Sequence, residues 1–135
     1  MSLLSGKKPS YLGHKQGKLA ASPKSPNCVS SQALGKANID PLTFKGSASN
    51  AWTALTNVMN AHKGASQTEV SDIYMHLECK TPLLGFVDDL EFCLDDQNKA
   101  IHVRSASRLG YSDLGKNRQR VEQIRSTFTK EVNQS

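Results

Sequence analysis

The sequence predicts an α+β fold: a two-layer sandwich in which an antiparallel meander of about three to five strands is covered on one face by two helices. Three observations lead there. Apolar residues recur at three- and four-residue steps in two stretches, 48–62 and 112–130. Between them, apolar and polar residues alternate in runs around 73–79, 86–94 and 101–108. The connections between those runs are too short for parallel crossovers, so the strands form an antiparallel meander. One apolar sheet face then needs cover, and the two helices are the elements able to supply it.

Residues 1–26 carry Gly, Ser, Pro and Lys with almost no apolar periodicity. They are expected to form a flexible basic arm, with Tyr11 and Leu12 as docking points, ahead of a single domain at 27–131. The segment SPNCVSSQAL leads into the domain, and Pro41 pushes Asp40 away from helical geometry. Short extra strands are expected from 27–45. In the first helix Ala48, Trp52, Leu55, Met59 and His62 make one stripe, with Ser47 or Ser49 as N-cap and Gly64 as stop.

The first strand turns Ile73, Met75, Leu77 and Cys79 inward. The second groups Phe86, Leu90, Phe92 and Leu94 on one face with Asp88 among them. The third turns Ile101, Val103, Ser105 and Ser107 inward. The last helix is expected from Ser112 or Asp113 to about Lys130, burying Leu114, Val121, Ile124 and Phe128.

Composition narrows the function classes. The formal charge is +5, from 17 Lys and Arg against 12 Asp and Glu. Much of the excess lies in the first 45 residues, where seven lysines face only Asp40. The remainder is nearly balanced and aromatics are only 6%, so nucleic-acid binding is disfavoured. No apolar run reaches the roughly 20 residues of a membrane span. Cys28, Cys79 and Cys93 cannot all pair and show no CxxC spacing, which suggests a reducing compartment. Cytoplasmic residence is expected, with organelle import left open by the basic, acid-poor leader. No cofactor is expected, and the scattered histidines suggest no metal site.

Alternation makes a specific statement about the second sheet face. Tyr74, His76 and Glu78 should lie beside Asp89, Glu91 and Cys93, and these beside His102, Arg104 and Arg108. Such a face is either a solvated, ion-paired surface or a functional cleft, particularly if residues 1–45 fold over it and bury it partly. Asp88 points the other way, in phase with apolar residues, and needs a cation. Through a local bulge it is expected to pair with Arg118 or Arg125 of the last helix, or to cap nearby backbone.

The segment 103–125, VRSASRLGYSDLGKNRQRVEQIR, concentrates five arginines in a strand–turn–helix. Arg104, Arg108 and Arg118, with Ser105, Ser107 and Tyr111, form the candidate anion-binding surface. Free N–H groups at the helix start could add to it, although Ser112 or Asp113 is expected to cap them. The leading expectation is a binding or accessory domain, with a small anion or a protein as partner and an undetermined oligomeric state. The alternative is a small enzyme with Cys28, Asp89 or Glu91 as the reactive group and an arginine-held substrate.

The motifs SPNCVSSQ (25–32), AW (51–52), FVDDLEF (86–92) and IHVRSASRLGYSDLGKNRQRVEQIR (101–125) resemble those of the bacterial and plastid domain of unknown function 1499 family. That resemblance implies a single small domain including the Cys28 loop. It brings no catalytic residue, cofactor or substrate, and does not extend to the arm before residue 25.

Overall fold

Strand alternation and short turns produce one antiparallel six-stranded sheet. The computed structural model describes residues 6–23, 26–81, 85–110 and 113–133. Its elements are β1 (His14–Lys15), β2 (Lys18–Leu19), β3 (Cys28–Ser30), a 3-10 turn (Gly35–Ala37), β4 (Leu42–Thr43) and α1 (Ala48–Ala61), then β5 (Ala65–Val70), β6 (Tyr74–Lys80), β7 (Val87–Asp95), β8 (Ala100–Ser107) and α2 (Lys116–Asn133). The sheet order is β3-β8-β7-β6-β5, β4 also pairs β8, and β1–β2 form a separate hairpin.

Both helices pack on one sheet face, giving the expected α+β sandwich. Leu55, Val58 and Met59 of α1 and Val121, Ile124 and Phe128 of α2 join Met75, Leu77, Leu90, Phe92, Ile101 and Val103 in one buried cluster. Each such large side chain contributes about 1.5–3 kcal/mol on burial. Trp52 packs into the same cluster and donates its indole N–H to the Ser71 carbonyl at 3.0 Å. Ser47 caps α1, accepting from the Asn50 N–H at 3.0 Å.

The structure departs from expectation at several points. β5 has no counterpart in the sequence pattern: ASQTEV is exposed along most of its length and lacks the alternation that marks a half-buried strand. Ile73 lies in the β5–β6 turn and is 45% exposed, not inward. Leu114 is also outward, at 93% exposure and with a left-handed φ of 54°, because α2 begins only at Lys116. Asp88 sits in regular register between Cys79 and Ser107 with no bulge, and its partner is Arg120, not Arg118 or Arg125.

The second sheet face is not solvated. Residues of the 6–23 segment lie over it. Leu19 packs with Tyr74 and Cys93, and Tyr11 lies against the Arg104 guanidinium, 5.0 Å from ring centre to Cζ.

Candidate anion site

The register places the polar residues as alternation requires. His76 faces Glu91 and Glu78 faces Asp89 across β6–β7, while Glu91 faces Arg104 and Cys93 faces His102 across β7–β8. What alternation could not show is how deeply they lie. Glu91 and Arg104 are 0% and 1% exposed, and Asp89 and His76 are equally inaccessible.

Two linked groups occupy this layer. In one, Glu91 accepts from the Tyr74 hydroxyl at 2.5 Å and the Gly13 N–H at 2.8 Å, with Arg104 at ion-pair distance, 3.7 Å. Arg104 also donates to the Ala21 carbonyl at 3.3 Å. Burial, reinforced by the bond to Glu91, pushes the Tyr74 phenol up. In the other, Arg108 grips both Asp89 oxygens at 2.8 and 2.9 Å and reaches Glu78 at 2.7 Å. Burial would raise the Asp89 pKa, but the bonds from Arg108 and His76 outweigh it and hold the carboxyl below its ordinary range. His102 lies further along, between Ser31 and Asp95 at 3.1 Å from each.

His76 stands between Asp89, at 2.8 Å from Nε2, and the Thr68 hydroxyl at Nδ1. Thr68 lies at the irregularity between Gln67 and Glu69 in β5, so this contact was hidden along with the strand. The alignment has the form of a hydroxyl–imidazole–carboxylate relay. Asp89, however, is already held bidentately by Arg108, which ties up both of its oxygens.

On the helix side a second network joins α2 to the sheet. Arg120 contacts Asp88 at 2.8 Å, and Lys116 stands 3.8 Å from the same oxygen. Arg120 also donates to Ser105 and Asn117. Asn117, fully buried, donates to the Ser107 hydroxyl, the Asn27 carbonyl and Asp113. Asp113 in turn accepts from the Gly115 and Asn117 N–H groups. The amides at the start of α2 are thus satisfied from within, as an N-cap would do.

The six residues expected to form one anion surface therefore divide. Arg104 and Arg108 lie beneath the arm among carboxylates, and Ser105 and Ser107 lie on the opposite face against Asn117. Arg118 donates to the Lys36 and Asn38 carbonyls, tying α2 to the segment before β4. Tyr111 and Ser112 fall outside the described residues. The physical reason is the two-residue period of a strand: neighbouring positions on β8 cannot share a face.

Next to this helix-side network is a groove of about 730 Å³, between the end of α1, the end of β6 and the first turns of α2. Lys63, Lys80, Lys116 and Arg120 line it, with Glu122 as the one acidic wall residue among the described residues. Lys63 and Lys80 make no ion pair among the described residues. His62 and Cys79 also line it. Burial and then the nearby Arg120 charge lower the His62 pKa, and burial pushes the Cys79 thiol up to about 11.

A family model described as a protein of unknown function (DUF1499) matches residues 18–128, most of the chain. The chain belongs to this family. The match begins at β2, so the DUF1499 unit includes part of the segment covering the charged layer as well as the groove. No curated protein matches the chain.

Within this DUF1499 domain Cys28 is 5% exposed, and its thiol lies by the Ser22 hydroxyl at 3.5 Å and the Val29 carbonyl at 3.7 Å. Among the described residues no three His, Cys, Asp or Glu side chains gather as a metal site would need. No helix among them is long and apolar enough to cross a membrane. Sequence reasoning missed the groove because its cations come from the α1–β5 turn, β6 and α2, which are separated in the chain. The available signal was the recurrence of polar residues at 116, 119, 120 and 123 along one face of the last helix.

Proposed function

We propose that this chain is a binding or accessory domain that holds an anionic group in the basic groove, with the buried arginine layer serving as its scaffold. The observation that carries this reading is charge left unneutralised at a concave surface. Lys63 and Lys80 have no carboxylate partner among the described residues, and Lys116 is only loosely opposed by Asp88. Arg104 and Arg108 stand instead among internal carboxylates. A reducing setting such as the cytoplasm fits this reading, supported by three buried, unbridged cysteines.

The enzyme alternative has weaker support. Cys28 is enclosed, and Asp89 and Glu91 are taken up by Arg108, His76, Tyr74 and Gly13. Thermal unfolding of the purified chain against phosphates and carboxylates, beside Lys80→Ala/Lys116→Ala, tests the proposal. An anion that raises the midpoint of the wild type and leaves the variant unmoved is the expected result. Equal shifts in both proteins would remove the groove as the site.

A further inference from the structure

We propose that the groove takes the phosphate of a small phosphorylated polar molecule, with Lys63, Lys80 and Lys116 around the phosphate and Gln119, Gln123 and Ser126 along the rest. This rests on the reading of the groove as an anion site and goes further by naming the ligand class.

The kind of cation left available decides the anion. A planar carboxylate is best matched by the fork of a guanidinium, whereas ammonium groups act as separate point charges. Arg120, the one arginine of the groove, already has its NH2 on Asp88 and its NH1 on Ser105 and Asn117. Among the described residues the remaining cations are three lysines, from the α1–β5 turn, the end of β6 and the start of α2, which can meet a tetrahedral, multiply charged group from several directions. The start of α2 supplies no alternative anion site, since Asp113 occupies the Gly115 and Asn117 amides.

Size and lining decide the remainder. At about 730 Å³ the groove has the dimensions of a small-molecule site and exceeds what a lone inorganic ion needs. Positions 116, 119, 123 and 126 follow one another on one face of α2, setting uncharged donors and acceptors beside the lysines. Among the described residues no Phe, Tyr or Trp lines the groove, so they offer no platform on which a nucleobase would stack.

His62 gives the site a reporter. Lys63 beside it, Lys80 from β6, Arg120 and Glu122 from α2, and the Cys79 thiol line the same groove. Burial and then the Arg120 charge hold the imidazole toward its neutral form. An incoming dianion offsets that positive field, so the His62 pKa rises and binding takes up a proton.

The test is NMR of the His62 ring in the full chain over about pH 5–8, the range in which histidine titrates. Spectra would be taken alone and with glycerol phosphate, sulfate or succinate, and each affinity measured. Sulfate stays doubly charged throughout, which separates the protonation of His62 from that of the phosphate itself. Glycerol phosphate is expected to raise the His62 midpoint and to bind at least about tenfold more tightly than succinate. Lys80→Ala/Lys116→Ala should weaken it by a similar factor. Succinate binding as well as glycerol phosphate, in a lysine-dependent way, would overturn the ligand class and leave the anion reading intact. Sulfate equalling glycerol phosphate would overturn the organic part of the ligand. Failure of every anion to bind would overturn both readings, and phosphate binding that leaves His62 unmoved would place the phosphate elsewhere.

Discussion

Arg104 and Glu91 face each other across β8 and β7 with almost no surface exposed, an arrangement that is costly unless the charges answer one another. The neighbouring Asp89 is the more completely satisfied carboxylate, with Arg108 on both oxygens and His76 on one. Its folded pKa lies below the ordinary value of 3.8, so its contribution to stability is full above that value and is lost as pH falls through the depressed folded value. Asp89→Asn removes that linkage. Urea unfolding should therefore find the variant clearly weaker than wild type at neutral pH, with the gap narrowing below about pH 4. A gap independent of pH would mean that the Asp89 charge is not what matters. Which residues share this face was legible from alternation alone. Its burial stays one of two open readings in the sequence, because the cover comes from a segment whose composition carries almost no core signal.

The elements divide in a similar way. α1, β6, β7 and β8 announce themselves through apolar periods of 3.6 and 2, and their pairing follows from short turns. β5 escapes because ASQTEV is an exposed edge strand held by its ladder to β6 and offers almost no apolar contrast. α2 starts about a turn later than its sequence pattern indicates, and Leu114 is not among its buried residues. The chain instead passes through left-handed Leu114 and Gly115, and Asp113 caps the helix from before that turn. Because Asp113 serves two backbone N–H groups and the buried Asn117 amide, Asp113→Ala should cost about 1–2 kcal/mol by urea unfolding, the upper range for a cap. A loss within a few tenths of a kcal/mol would show that the start of α2 is held by packing alone.

At the scale of the molecule, the sheet separates two uses of charge. Beneath the arm, cations and carboxylates are matched and buried, and they fix how residues 6–23 lie on the sheet. On the helix side, charge remains open at the groove. The sequence displayed the first set as a dense arginine motif and hid the second, since Lys63, Lys80 and Lys116 become neighbours only once α1, β6 and α2 are packed. The central claim is this division of labour, and phosphate affinity measured beside the unfolding free energy tests it most directly. Tyr11→Ala, which removes the ring from Arg104, should lower stability by about 0.5–2 kcal/mol and leave phosphate affinity unchanged. Lys80→Ala/Lys116→Ala should do the reverse, losing affinity while holding stability within about 0.5 kcal/mol. The opposite pattern, with affinity falling in Tyr11→Ala and surviving in the lysine variant, would put the site beneath the arm and contradict the account.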